Sequence, residues 1–98
     1  MAKTKAAYKQ YWNELREKWI AFDPIGVMDD PDWPRDEYDT YVGQTLNLLA
    51  QGAALERHVR HLEQVIEGMG IELDRRKLEL QAAEFIAWCE KRSDAGEV

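Results

Sequence analysis

Residues 54–70 read ALERHVRHLEQVIEGMG, and this stretch decides the fold class. Its apolar side chains recur at steps of four, three, four and three positions: Leu55, Val59, Leu62, Ile66 and Met69. That spacing places them on one face of an α-helix and leaves charged side chains on the other face. Gly70 follows the stripe, where a glycine in the left-handed conformation often ends a helix. We therefore predict an amphipathic helix over 54–69.

The same spacing occurs in three other parts of the chain. The stripes are Tyr8, Trp12, Leu15, Trp19 and Phe22; Tyr38, Val42, Thr45 and Leu49; and Leu78, Ala82, Phe85 and Cys89. No stretch alternates between apolar and polar residues for long enough to form a strand. The 98 residues suit one domain, residues 1–98. We predict an all-α, compact bundle of about four helices, over roughly 4–22, 35–51, 54–69 and 74–92.

Proline, glycine and aspartate mark the predicted helix ends. Asp23-Pro24 should end the first helix, because a residue before proline avoids the helical conformation. Trp33-Pro34 should begin the second, since the missing N–H of proline costs nothing in a first turn. Gly52 is expected to end helix two, and Asp74 to cap helix four. A long acidic loop over 23–34 then separates helices one and two, and loops of this length are often functional.

The negative charge is concentrated in one segment. The net charge is −6, from 13 Lys and Arg against 19 Asp and Glu. Residues 23–39 hold Arg35 and seven acids, which account for the whole imbalance: Asp23, Asp29, Asp30, Asp32, Asp36, Glu37 and Asp39. This charge pattern argues against a nucleic-acid partner and against binding to an anionic membrane surface.

Membrane insertion and disulfide bonding are also not expected. No run approaches the roughly 18 apolar residues of a membrane span. The single cysteine, Cys89, has no internal partner for a disulfide, and no apolar secretion core follows the N-terminus. We therefore expect a cytoplasmic protein. Cys89 lies on an apolar stripe, so we interpret it as a buried small hydrophobe and not as a nucleophile.

Two short motifs resemble those of a family of small uncharacterised bacterial proteins. The motifs here are FDPIGV at 22–27 and DEYDTYV at 36–42, and the family carries W-D-P-I-G-V and D-E-Y-D-x-Y-V. The resemblance covers about residues 22–71, with Phe22 in place of the family's tryptophan. It implies a small helical domain of unknown function and supplies no catalytic residue.

The acidic segment is the first candidate site. It could dock a protein with a basic surface, such as a nuclease toxin bound by an immunity or inhibitor protein. The proposed contacts are Asp29, Asp30, Asp32, Trp33, Asp36, Glu37 and Asp39, with Tyr38 or Tyr41 as further aromatic anchors. The alternative is a solvated linker whose acids cap helix two, while Ile25, Val27, Met28 and Trp33 cover the end of the bundle.

A magnesium-dependent nucleotide hydrolase is the second hypothesis. Its ligands would be Glu14 and Glu17 on one helix and Asp36 and Asp39 on the next. Glu14 and Glu17 lie off the apolar stripe and should face water, whereas metal-binding acids in bundles point inward. We therefore expect a non-enzymatic protein, with no catalytic residue and no cofactor.

Other metal sites and self-association complete the alternatives. Counted from Asp30, the segment lacks the glycine and glutamate of a calcium-binding loop. His58 and His61 have no third ligand at a suitable spacing, so we expect solvated histidines and no metal. Glu56, Arg60 and Glu63 should form exposed pairs along the same helix. Homo-oligomerisation through exposed aromatics, with Trp33 and Trp88 as candidates, is the third hypothesis.

Overall fold

Within residues 5–94, four α-helices follow one another, joined by short connections and one longer one. The computed structural model describes residues 5–94, with the side chains of 8–92. Helix α1 spans Lys5–Phe22, α2 spans Asp39–Ala50, α3 spans Leu55–Gly68 and α4 spans Arg75–Asp94. Residues 5–94 contain no strand, so the predicted all-α bundle is confirmed. The predicted start of the first helix at residue 4 lies outside the described residues.

The helices enclose one apolar core in a flat bundle of 37 × 31 × 17 Å. Helices α1 and α3 each pack against α2 and α4. Every helix contributes side chains that are at most 1% exposed, among them Leu15, Trp19, Val42, Leu46, Val59, Leu62, Leu78 and Phe85. Burial of each such side chain stabilises the fold by about 1.5–3 kcal/mol before entropy is counted. None of the described helices is both long and apolar enough to cross a membrane.

Trp19 is the centre of this core. Its ring lies 5.5–5.9 Å from the rings of Phe22, Tyr38, Tyr41 and Phe85. Its indole Nε1 donates a 3.1 Å hydrogen bond to Oγ1 of Thr45, which in turn donates to the backbone carbonyl of Tyr41 at 2.9 Å. The core therefore contains one polar link between α1 and α2, and its buried donor is satisfied.

The buried face of α1 is rotated from the predicted one. Tyr8 is 44% exposed, whereas Tyr11 is only 2% exposed. Tyr11 lies four positions before Leu15 and eight before Trp19, which gives the same face of a helix. It packs edge-on against Trp88 of α4, with ring centroids 6.3 Å apart. The contact with α4 decides the register, so placing Tyr8 in the core was wrong.

Helix α2 begins later than predicted. Residues 35–38 form turns, in which the amide of Asp39 donates to the carbonyl of Asp36 at 3.1 Å. Pro34 therefore precedes a turn and does not open a helix. Of the acids expected in the first helical turn, only Asp39 lies there. The connection from α1 to α2 thus spans residues 23–38.

The other predicted helix ends are confirmed. Gly52 and Gly70 have φ values of 69° and 75°, which suit glycine and strain other residues. At each end the glycine amide and the next amide donate back to carbonyls of the last helical turn, the arrangement of a Schellman motif. Asp74 caps α4, since its Oδ1 accepts from the amide of Arg76 at 3.0 Å.

Candidate functional site

Asp23 ends α1 and holds the turn that follows. Its φ of 44° is left-handed, a conformation that aspartate tolerates better than most residues. Its Oδ1 accepts from the amide of Val27 at 3.0 Å, and its Oδ2 accepts from the amide of Met28 at 3.1 Å. One carboxylate thereby satisfies two amides of the turn and serves the fold.

Tyr38 completes this arrangement from the other end of the connection. Its hydroxyl donates to Oδ1 of Asp23 at 2.6 Å and accepts from the amide of Ile25 at 3.2 Å. We call this pair the Asp23–Tyr38 clasp. Tyr38 is only 1% exposed, so its expected role as a surface anchor was wrong. Tyr41 is half-buried and packs against Trp19.

The clasp also changes the acidity of both groups. Burial raises the pKa of Asp23, but hydrogen bonds from Tyr38, Met28, Val27 and Gly26 outweigh burial, so the net pKa lies below its usual value. Burial and the hydrogen bond to Asp23 raise the pKa of the Tyr38 hydroxyl well above its usual range. At neutral pH the clasp is therefore a neutral phenol donating to a charged carboxylate.

A second set of bonds ties the connection to α1. Nε of Arg16 pairs with Oδ1 of Asp39 at 2.8 Å, and the same guanidinium donates to the carbonyl of Arg35 at 3.1 Å. Arg35 in turn donates to the carbonyl of Met28 at 3.0 Å. Asp39 is thus largely matched by a cation inside the molecule, which weakens its case as a contact for a partner.

The apolar residues of the connection divide into two groups. Met28 is buried, and Ile25 and Val27 pack against the core, so these three cover the end of the bundle as the linker hypothesis expects. Trp33 does not join them. It is 39% exposed, and its Nε1 donates to Oε2 of Glu37 at 3.3 Å. Trp33 is therefore available at the surface among the acids.

The remaining carboxylates lie at the surface with few internal bonds. Asp29, Asp32 and Asp36 are exposed, and their carboxylates accept no hydrogen bond from the described residues. Asp30 uses one oxygen to accept the amide of Asp32 at 2.9 Å. We call this surface the acidic face, formed by Asp29, Asp30, Asp32, Trp33, Asp36 and Glu37. With Arg35 included, its formal charge is −4.

Two of the four acids of the hydrolase hypothesis, Glu14 and Asp39, pair with cations of the protein, and the other two, Glu17 and Asp36, are exposed. Glu14 was expected to face water, but it contacts α4, accepting from Nε1 of Trp88 at 3.3 Å and pairing with Arg92. Glu17 is exposed, and Asp39 pairs with Arg16. Among residues 5–94, no three His, Cys, Asp or Glu side chains form a group able to hold a metal ion. This geometry gives magnesium chemistry no support.

The histidines, the cysteine and Trp88 differ from their expected surroundings. His58 is only 1% exposed, so its predicted solvation was wrong, and its Nε2 has no hydrogen-bond partner. Burial and then Arg57 lower the pKa of His58.

Cys89 is half-buried, and burial raises the pKa of its thiol, which opposes nucleophilic reactivity. Trp88 packs on Tyr11 and does not form an exposed pair with Trp33.

No family model, curated protein or solved structure matches this chain.

Proposed function

We propose that the protein is a non-enzymatic binding module whose acidic face docks a protein with a basic surface. The observation that carries this proposal is that the acids of the connection from α1 to α2 fall into two groups, one with partners in the protein and one without. The carboxylates of Asp23 and Asp39 pair with other groups of the protein. Those of Asp29, Asp32 and Asp36 have no partner among the described residues. Exposed like charges repel one another, so their grouping needs a reason other than stability.

Helix capping does not account for these acids. An acidic side chain stabilises a helix only within its first turn, and α2 begins at Asp39. Asp29, Asp30 and Asp32 lie at least seven positions before that residue. The residue preceding α2, Tyr38, makes no side-chain capping bond. The later start of α2 therefore removes the local role that a helix beginning at residue 35 would have given Asp36.

The acidic face has the features of a surface that binds a cationic partner. A tryptophan surrounded by charges can insert into a pocket while the charges steer the approach. We place the partner among proteins with a cationic groove, of which a nuclease toxin held by an immunity or inhibitor protein is the most concrete example. A cytoplasmic location forms part of this proposal, since the single cysteine suits a reducing compartment.

The test compares two variants that each lose four negative charges. The first carries Asp29→Asn, Asp30→Asn, Asp32→Asn and Asp36→Asn, which keeps the side-chain oxygen of residue 30 as an acceptor. The matched control carries Glu17→Gln, Glu67→Gln, Glu72→Gln and Glu90→Gln, four exposed acids elsewhere that make no ion pair with the described residues. Partners retained by the wild type at low salt are purified, and their association rates are measured against ionic strength.

We expect a partner with a basic surface whose association slows steeply with salt. The acidic-face variant should associate at least about tenfold more slowly, because steering charges act on the encounter rate. The control should associate like the wild type. Equal association of the acidic-face variant, or equal slowing by both variants, would refute docking through this surface. Retention of no basic protein by the wild type would also count against the proposal.

A further inference from the structure

The groove between α2 and α3 has a charge opposite to that of the whole protein. Its α3 wall carries Arg57, Arg60 and His61, spaced so that they share one side of the helix. Among the residues that the structure describes, no carboxylate lines it, although the protein has 19 acids. Its volume is about 540 Å³, within the range of small-molecule sites.

Two acids of α3 pair with a residue of α4 and do not line this groove. Arg75, at the start of α4, pairs with Glu56 at 3.0 Å and with Glu63 at 3.4 Å. The expected Glu56–Arg60 pair along the helix is therefore not formed. Helix α3 thus has Glu56 and Glu63 bound by a residue of α4, while its two arginines line the groove beside α2.

The two arginines of the groove have no anionic partner in the described part of the chain. Within residues 8–92, the one side-chain hydrogen bond of Arg57 is to the neutral Oε1 of Gln51, at 3.4 Å, and the guanidinium of Arg60 makes no hydrogen bond or ion pair. By contrast, Arg16 and Arg75 both pair with carboxylates. Two guanidinium groups one turn apart, each with unused donors, form an arrangement suited to an oxyanion.

The rest of the groove is polar and neutral. Gln44 of α2 and His61 of α3 are joined across it by a 2.9 Å hydrogen bond, which fixes the imidazole. Asn47 and Gln64 add amide groups, and Leu48 adds one apolar contact. These groups can hydrogen-bond the body of a ligand whose charge lies against the arginines.

We propose that the α2–α3 groove binds a small anion through Arg57 and Arg60. The ligand class is a compact molecule bearing phosphate or carboxylate groups. This site is distinct from the acidic face and does not depend on the function proposed for it.

Direct binding measurements at low salt test the proposal with three defined probes. Pyrophosphate presents phosphate alone, citrate presents carboxylates, and adenosine monophosphate joins a phosphate to an organic body. Titration calorimetry gives the affinity for each probe. Amide chemical shifts of residues 44–48 and 57–64 report where each probe binds. The tighter of pyrophosphate and citrate identifies the headgroup, and the adenosine probe shows whether the groove also contacts the body of the ligand.

Two variants that lose the same charge distinguish binding in the groove from nonspecific electrostatic attraction of anions to the protein. Arg57→Gln with Arg60→Gln removes the guanidinium pair, and Arg76→Gln with Lys77→Gln removes two exposed cations of α4 outside the groove. We expect the first variant to bind at least about tenfold more weakly for each guanidinium lost, and the second to bind like the wild type. Circular dichroism establishes that both variants are folded. No binding of any probe by the wild type, or equal weakening in both variants, would overturn the proposal.

Discussion

The hydroxyl of Tyr38 donates a 2.6 Å hydrogen bond to Oδ1 of Asp23, a residue fifteen positions earlier. This bond joins the two short motifs, FDPIGV and DEYDTYV, that characterise this part of the sequence. It ties the end of α1 to the residue that precedes α2. The connection between these helices is therefore closed at its base by one phenol and one carboxylate.

We expect Tyr38→Phe to lower the free energy of unfolding by about 1–3 kcal/mol. The substitution keeps the buried ring but leaves the amide of Ile25 without its acceptor. It also removes the shortest hydrogen bond to the Asp23 carboxylate, which keeps the two amide donors of its turn. Urea denaturation followed by circular dichroism measures the change. Tyr41→Phe is the matched control, because the Tyr41 hydroxyl makes no hydrogen bond with the described residues and its loss should change stability by less than about 0.5 kcal/mol. Equal effects of the two variants would contradict a structural role for the clasp.

We expect Thr45→Val to destabilise the fold by about 1–3 kcal/mol, although it conserves the volume of the side chain. Valine cannot accept the bond from Nε1 of Trp19, which would leave a buried donor unsatisfied. Thermal unfolding measures the loss. The exposed Thr40 provides the comparison, since Thr40→Val removes a hydroxyl from the same helix without uncovering a buried group. If Thr45→Val is as stable as the wild type, the Trp19–Thr45 bond contributes nothing to the core.

Two glycine-to-alanine substitutions in one region should have opposite effects. Gly52→Ala places a side chain at a φ of 69° and should cost about 1 kcal/mol. Gly43→Ala lies within α2, where a Cβ would meet nothing within 4 Å, and should stabilise by about 0.5–1 kcal/mol. Chemical denaturation of the two variants and of the wild type gives the sign of each change in the free energy of unfolding. Destabilisation by Gly43→Ala would mean that α2 needs its flexibility.

Stability should fall as the pH drops from about 7 to 5. Below the ordinary pKa of 6.5 the unfolded chain binds a proton on His58, while the folded chain does not because burial lowers that pKa. The free energy of unfolding therefore decreases with falling pH until the folded pKa is reached, by at most about 1.4 kcal/mol per pH unit for one proton. His61 acts in the same direction, since burial and then His58 lower its pKa.

The substitution His58→Leu isolates the contribution of His58 to this effect. Leucine does not titrate, and its introduction breaks no hydrogen bond of His58 Nε2, which has none with the described residues. Urea titrations at pH 7.5 and pH 5.5 should show a smaller loss of unfolding free energy in this variant than in the wild type. An identical pH dependence in His58→Leu and the wild type would show that His58 does not titrate in the unfolding transition.

Local sequence patterns predict the helices well and the connections poorly. The helix ends at Gly52 and Gly70 involve only the backbone of the preceding turn, and Asp74 bonds an amide two residues away. A few consecutive residues of sequence are therefore enough to predict these three helix ends. The start of α2 depends on Tyr38 reaching Asp23, which no local pattern contains. The rotation of α1 likewise depends on Trp88, a residue of the last helix.

The candidate sites show the same limit. The acidic segment was evident from composition, but its division into structural and exposed acids required the contacts of Asp23 and Asp39. The sequence did not predict the α2–α3 groove, because Glu56 was expected to pair with Arg60 four positions away. Glu56 pairs instead with Arg75, nineteen positions away. This long-range ion pair leaves Arg60 without an anionic partner among the described residues.

The clasp also bears on how this surface can change over evolutionary time. Asp23, Tyr38 and Arg16 fix the base of the connection, and residues 29–34 are all exposed. Substitutions in that stretch alter charge and shape without touching the residues that anchor it. If this surface binds a partner as proposed, such a separation lets a lineage acquire a new binding preference by single mutations, while the bundle beneath stays the same.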